Sequence, residues 1–484
     1  INSADPRDLR IAELERINAW QAARIVELEK LVPLVESLTR RVQELEALLA
    51  QNSSNSSRPP SSDPPNAPPR QSREASGRQR GGQPGHEHHK RELLPPERVR
   101  KTRHIKPKCC RRCGDGLVGE DPAPHCHQVL DIPVVVAFAD EYWLHALYCP
   151  RCDITTRAEL PPGVPSSLIG PRLQAVMGLG SGAYRMSKRM VEEMASDFFA
   201  ADVSLGTIPN TEKRTSAALA GPVKEVVEAI QTEPVVHADE TSWREAKKKA
   251  WLWVAATATM AVFVIRRSRG ADVAKELLGA LYRGILVSDR WCGYAWIDAA
   301  QRQLCWAHLI RHWKAFEEHG AEAKRIGLGL QRATRRLFRL WHRVRDGTLT
   351  RADFQRKALP LQHAIVALLH EGAVCPSKKV AGMCHQILLL ERSLWTFIRE
   401  EGVEPTNNHG ERVLRHAVIW RKCSYGTDSE DGSRFVERML TTVQTLRLQK
   451  RNVLEYVAAA CAAANQGIAP PSLLPPTQAA QLAA

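Results

Sequence analysis

The sequence predicts a multidomain α/β protein, and three features carry that expectation. A helical heptad pattern opens the chain, two C-x-x-C motifs follow it, and short apolar strands interleaved with helices fill much of the second half. At 484 residues the chain has room for about three domains. A formal net charge of +15 and a pI near 9.4 favour a polyanionic partner, of which nucleic acid is the commonest. No charged-then-apolar leader opens the chain, so a reducing, cytoplasmic compartment is expected, in which clustered thiols bind metal. Outside the Pro-broken C-terminal tail, the longest uncharged run, 250–265, falls short of the roughly 20 residues a membrane helix needs, so no membrane partner is expected.

Residues 6–50 read as a helix whose Leu28, Leu31, Val35, Leu38, Val42, Leu45 and Leu49 alternate spacings of three and four. That seam predicts a coiled coil pairing two subunits into a homo-oligomer, with an amphipathic helix packed on its own chain as the alternative. Pro33 removes a backbone donor within the seam and is expected to kink or split the helix. Residues 51–100 are rich in Pro, Ser and Gly, have little to bury, and read as a disordered basic linker. From Arg58 to Arg112, fifteen Lys or Arg face five acids, so ten of the fifteen net charges fall here. Such an arm suits a phosphate backbone, against the alternative of a solubilising tail.

Within 101–163, Cys110-x-x-Cys113 and Cys149-x-x-Cys152 are separated by the strand-like Gln128–Val136 and Glu141–Tyr148. Four thiolates on two tight turns are what tetrahedral zinc prefers, and a closed four-sulfur shell makes the zinc structural. Cys109 competes with Cys110 for the first position. Residues 164–230 read as three or four helices, with Lys188 and Arg189 on one and another starting near Thr207, which fits either a helix-turn-helix or a plain connector.

From Pro234 the pattern changes to strand. Pro234–Thr241 reads P-V-V-H-A-D-E-T and is expected to end at Asp239; Gly284–Asp289 ends likewise in an acid. Carboxylates at strand ends are well placed to hold a cation, and the competing reading is that they merely cap strands. Between them lie strands Ala250–Thr257 and Ala261–Arg266 and a helix Ala271–Leu281; a strand Gln303–Trp306 then leads into a helix with His308. That order matches a ribonuclease-H-like α/β core over 231–310, with a helical insertion over 311–400 and a second part of the core over 401–465. On the insertion Arg332, Arg336, Arg339 and Arg343 share one face, read either as a solvated stripe or as a DNA contact. Glu411 heads the next helical pattern, followed by Arg412 and Arg415, and the tail over 466–484 is expected to be disordered.

Taken in order, N-S-S-N-S-S-R-P-P-S-S-D (52–63), G-G-Q-P-G-H (81–86), both C-x-x-C motifs, S-L-G-T-I (204–208), H-A-D-E-T (237–241), S-D-R-W-C-G-Y (288–294), C-W-A-H (305–308) and T-N-N-H-G-E-R-V-L-R (406–415) make the chain resemble the transposases of the insertion sequence 66 family over nearly its whole length. The resemblance implies a D-D-E transposase whose three acids fall on Asp239, Asp289 and Glu411. It departs from the family pattern in C-C-R-R-C-G at the first knuckle and in S-D-R-W-C-G-Y at the second acid. It further implies that the partners are the transposon ends and target DNA, and small accessory proteins of the same element. Cutting and rejoining DNA calls for two hard divalent cations, magnesium or manganese, on oxygen ligands. Asp239 is then expected to bridge both, with Glu240 turned to the opposite face and His237 and His409 in hydrogen-bonding roles. Arg412 and Arg415 are expected to meet the DNA backbone. The competing classes are a nuclease of the same fold that only hydrolyses and a DNA-binding regulator with no catalysis.

Overall fold

Apolar, β-branched and aromatic residues crowd positions 235–304, and they build the sheet on which the candidate site rests. The structure, a computed structural model, describes residues 6–49 and 92–476. These fall into two units, one of 6–49, 161–186 and 209–476, the other of 92–160 and 187–208. The helices are, in chain order, α1 (Pro6–Leu49), α2 (Pro171–Gly182), α3 (Lys188–Phe199), α4 (Thr207–Ala218), α5 (Ala220–Ile230), α6 (Ala271–Leu278), α7 (Trp306–Ala315), α8 (Ala321–Arg345), α9 (Arg351–Ala373), α10 (Lys378–Leu388), α11 (Thr396–Arg399), α12 (Asn408–Ser424), α13 (Glu430–Leu448) and α14 (Val453–Gln466). The strands are β1 (Ala146–Cys149), β2 (Ile154–Arg157), β3 (Val235–Glu245), β4 (Lys248–Ala256), β5 (Ala261–Arg266), β6 (Ile285–Ser288) and β7 (Arg302–Leu304).

The heptad stretch forms α1, and its seam residues Leu28, Leu31, Val35, Leu38, Val42, Leu45 and Leu49 are all exposed. The helix is not split at Pro33. On an exposed helix, water can satisfy the one carbonyl that loses its donor. Most of the expected linker, 51–91 of 51–100, including the G-G-Q-P-G-H motif, lies outside the described residues.

In the smaller unit the strand expected at Gln128–Val136 is absent, and of Glu141–Tyr148 only the end joins β1. Pro133 removes a ladder donor from the first stretch, and its Val and Ile side chains stay exposed, so nothing rewards pairing there. β1 and β2 form an antiparallel hairpin instead, in the register Cys149↔Ile154.

The main sheet has the order β5-β4-β3-β6-β7. β3, β4 and β5 are antiparallel, whereas β6 runs parallel to β3 and β7 parallel to β6. The expected end of the first strand at Asp239 is corrected: β3 runs on to Glu245, because β4 pairs with it as far as Lys248 through a turn at Ala246 and Lys247, both at positive φ. What stops near Asp239 is the parallel neighbour, whose last partner on β3 is His237. Asp239 is thus fixed by β4 on one side and opens past the end of β6 on the other.

One core buries the faces of β3, β4 and β5 under residues of α2, α5, α6, α12, α13 and α14, with Trp243, Trp253 and Phe263 at its centre. A second, helical core collects α7–α11 around Trp306, Trp313, Phe354 and Phe397. The outer edge of the sheet is closed by α13. Thr441 Oγ1 accepts the Phe263 N–H at 3.0 Å, Thr445 Oγ1 accepts that of Ala261 at 3.0 Å, and Glu437 accepts that of Ile265. Side chains of a helix thereby occupy donors that another strand could otherwise pair with. The tail is also corrected in part. Leu473 is fully buried, Tyr456 Oη donates to the Pro471 carbonyl at 2.7 Å, and Ser472 Oγ donates to Glu225 at 2.8 Å. Residues 477–484 lie outside the described residues.

Thr441→Val keeps the shape of the side chain but strands the buried Phe263 N–H, and is expected to cost about 1–3 kcal/mol. Chemical denaturation reads this as a lower midpoint at unchanged slope, and Thr441→Ser, which keeps the hydroxyl, is expected to lose less.

Candidate active site

Asp239 on β3, Asp289 just after β6 and Glu411 in the first turn of α12 reach one neighbourhood of the larger unit. Burial, then the charges of Glu240, Asp289 and Glu411, hold the Asp239 carboxyl well above the usual carboxylate range. Glu411 is raised too, first by burial and then by Asp289, with Arg311 opposing. Two backbone donors orient the aspartates: Asp239 Oδ1 accepts the Glu240 N–H at 2.9 Å and Asp289 Oδ1 that of Trp291 at 2.8 Å. Strand alternation turns Glu240 away from Asp239, and its buried carboxylate pairs with Arg269 at 2.6 Å and accepts from Tyr294 Oη at 3.0 Å. Arg269 in turn lies over the Trp291 ring, 3.7 Å from its centroid.

Asn407 ties the pieces together. Its side-chain nitrogen donates to the Ala238 carbonyl at 2.8 Å and its side-chain oxygen meets His237 Nδ1 at 3.0 Å. Its backbone N–H donates to Cys305 Sγ at 3.1 Å, and its carbonyl accepts the Glu411 N–H at 3.0 Å. Gly410 is required beside it, since a Cβ there would stand 2.7 Å from Asn407 Oδ1. His409 packs edge-on against His237 and makes a 2.7 Å hydrogen bond to the Thr257 carbonyl.

The polar face of α7 looks onto the same acids. His308 Nδ1 lies 3.6 Å from Glu411 Oε1, yet burial and Arg311 hold His308 down to about 4, so this is no ion pair at neutral pH. Among the described residues, the tight group of possible metal ligands is Cys305, His308 and Glu411, whose ligand atoms lie within 4.8 Å of one another. Burial pushes the Cys305 thiol up to about 11. Behind Asp289, the buried Arg302 donates to its carbonyl at 3.2 Å.

The sequence matches the model of the family described as "Transposase IS66 family" over residues 169–434. The chain belongs to this family. A second model, of a family of unknown function, matches residues 4–92. The chain is also similar to uncharacterized protein y4qI of Sinorhizobium fredii, 27% identical over an aligned length of 266 residues, with 48% of each chain covered. It therefore spans about half the length of that curated relative.

The IS66 match covers Asp239, Asp289 and Glu411 and leaves out the four cysteines. The structure brings Cys110 beside Cys113 and Cys149 beside Cys152, each pair on a tight turn, without gathering three of these sulfurs into one close group. Backbone N–H groups of Cys113 and Arg112 lower the Cys110 thiol, and those of Cys152 and Arg151 lower Cys149. Lys188 and Arg189 begin α3 and are exposed; seven residues separate α3 from α4, more than the three or four of a compact helix-turn-helix. Arg412 and Arg415 are exposed on α12. Arg332, Arg336 and Arg339 line an open groove of about 570 Å³ on α8, together with Arg335, Phe338 and His342. Arg343 lies outside this lining and donates to the Thr348 carbonyl at 3.1 Å. Sequence reasoning missed Asn407, Cys305, Arg302 and Arg335. The C-W-A-H and T-N-N-H-G-E segments held a signal for the first two, polar residues directly after a strand and directly before a helix.

His237, His308 and His312 are each held down to about 4, chiefly by burial. Unfolded, each titrates near 6.5, so between about pH 6.5 and 4 the contribution of these three groups to stability falls with acid, while the raised carboxyls of Asp239, Glu411 and Glu437 pull the other way. Relative to the wild type, His237→Gln is expected to shift the melting temperature of the larger unit toward greater stability at pH 5 than at pH 7, by about one proton of linkage.

Proposed function

We propose that this chain is a D-D-E transposase that binds the ends of its own insertion sequence, cuts the DNA and joins the freed 3′-hydroxyl to target DNA. Membership of the IS66 family supports it, as does the sheet, whose three antiparallel strands continued by two parallel ones suit a ribonuclease-H-like core. The observation that carries the reading is the convergence of Asp239, Asp289 and Glu411 on one neighbourhood, where burial and then neighbouring acids raise the Asp239 and Glu411 carboxyls. Acids gathered in this way are costly to ionise unless a cation offsets them, which strand-capping acids would not require.

In this reading Asp239, rigid on β3, and Asp289, at the open end of β6, form the fixed part of the ligand set, and Glu411 completes it from α12. Two magnesium or manganese ions held there would activate the attacking oxygen and offset the charge gathering on the phosphorus. Arg412 and Arg415 hold the DNA backbone beside the acids, the α8 arginines Arg332, Arg336, Arg339 and Arg343 extend that contact, and Lys188 and Arg189 of the smaller unit bind DNA on their own account. The exposed Leu28–Leu49 seam of α1 pairs two copies. Cys110, Cys113, Cys149 and Cys152 hold a structural zinc; the N–H groups already aimed at the Cys110 and Cys149 sulfurs favour the thiolates it needs.

Asp239→Asn, Asp289→Asn and Glu411→Gln are each expected to abolish metal-dependent cleavage and joining while end binding persists in a mobility-shift assay. Cleavage retained by any variant removes that residue from the site, and a wild-type chain that cuts without joining is a hydrolytic nuclease. Replacing Cys110 and Cys113 with Ser is expected to release about one zinc per chain, measured by elemental analysis. Wild-type protein purified without any zinc would end the knuckle assignment.

A further inference from the structure

The atoms that crowd Glu411 are not the set an all-oxygen magnesium site calls for. Cys305 Sγ, an imidazole nitrogen of His308 and a Glu411 carboxylate oxygen fall within 4.8 Å of one another, and His308 Nδ1 stands 3.6 Å from Glu411 Oε1. Both of those last two atoms are shut off from solvent and lack a hydrogen-bond partner among the described residues. Buried polar atoms are nearly always paired, so two orphans facing each other across a gap too wide for a hydrogen bond call for something between them. Ligands bound at about 2.0–2.3 Å to a tetrahedral ion stand roughly 3.3–3.7 Å apart, which makes this gap one edge of such a tetrahedron.

The local sequence holds the donors firmly. Cys305 caps α7 and His308 lies in its first turn, three residues on and on the same side of the helix. The Asn407 N–H on Cys305 Sγ fixes the sulfur against the segment that delivers Glu411. A sulfur, an imidazole nitrogen and one carboxylate oxygen select a borderline-soft ion over magnesium.

We propose that Cys305, His308 and Glu411 bind a divalent cation of the zinc class, and that filling this site withdraws Glu411 from Asp239 and Asp289. Binding releases the Cys305 thiol proton to solvent. The binding itself stands apart from the transposase reading, whereas the withdrawal rests on the role that reading gives Glu411.

Cobalt(II) titrated into the full metal-free chain tests the site through its visible absorption. Wild-type protein is expected to take up about one equivalent more than Cys305→Ser, His308→Gln or Glu411→Gln, and replacing Cys110 and Cys113 with Ser is expected to leave that equivalent in place. Any one of the three variants that melts as the wild type does is sufficient, and unchanged cobalt uptake in it overturns the proposal. At fixed magnesium, added zinc is expected to lower the DNA cleavage rate of the wild-type chain, and binding without that loss overturns the withdrawal. A chain that never cleaves DNA refutes the transposase reading, while cobalt uptake still decides the site.

Discussion

The candidate site depends on one buried asparagine. Asn407 makes hydrogen bonds to β3, to the junction of β7 and α7 and to the first turn of α12, so the elements carrying Asp239 and Glu411 are tied at the site by one side chain and its peptide, while Arg421 farther along α12 donates at 2.8 Å to Thr241 Oγ1 and to the Ser242 carbonyl of β3. Each group it satisfies is buried, and leaving one such group unpaired costs about 1–3 kcal/mol. That penalty makes the position of α12 against the sheet a discrete choice. A helix held by apolar packing alone could slide by a fraction of a turn at little cost, and Glu411 would then miss the aspartates.

The same economy separates two kinds of buried acid. Glu240 is the neighbour of Asp239 with a buried carboxylate, yet Arg269 and Tyr294 answer it directly, so its charge is spent within the fold. Among the described residues Asp239 has a backbone N–H and no cationic side chain on it, and Glu411 Oε1 has no hydrogen-bond partner. Adjacent residues on one strand thus have opposite assignments because alternation sends them to faces of opposite chemistry. At the far edge of the sheet, Glu437, Thr441 and Thr445 show the purely structural use of polar side chains, closing an edge that would otherwise invite pairing.

Much of this was legible in the sequence where local pattern decides the outcome. Ala261–Arg266 is a strand because β-branched and aromatic residues follow one another there, and α4 starts at Thr207 after a turn whose residues announce it. Asp239 read as a strand end because the apolar run stops, whereas the end belongs to its neighbour β6, which no local pattern on β3 can reveal. Gln128–Val136 has strand-like side chains, but Pro133 and the lack of anything to pack on deny it a ladder. Asn407 looked like one polar residue among several, and its role exists only once residues 170 positions apart are in contact.

The helical insertion between the second and third acids can be understood in the same terms. Its start and end are stitched to one strand and to each other: Thr396 Oγ1 donates to the Arg302 carbonyl at 2.5 Å, Gln303 accepts the Phe397 N–H at 2.7 Å, and the Trp306 N–H donates to the Pro405 carbonyl at 3.0 Å. However far the intervening helices extend, the chain must therefore return beside β7, two residues before Asn407. The insertion is free to carry the Arg332–His342 groove on its own core because its closing bonds, and not its length, set the place of Glu411. This also explains why the third acid sits on a helix while the first sits on a strand and the second just past the end of one. Its anchor is the returning end of a loop, and a helix beginning at that anchor projects its first-turn carboxylate back toward the strands.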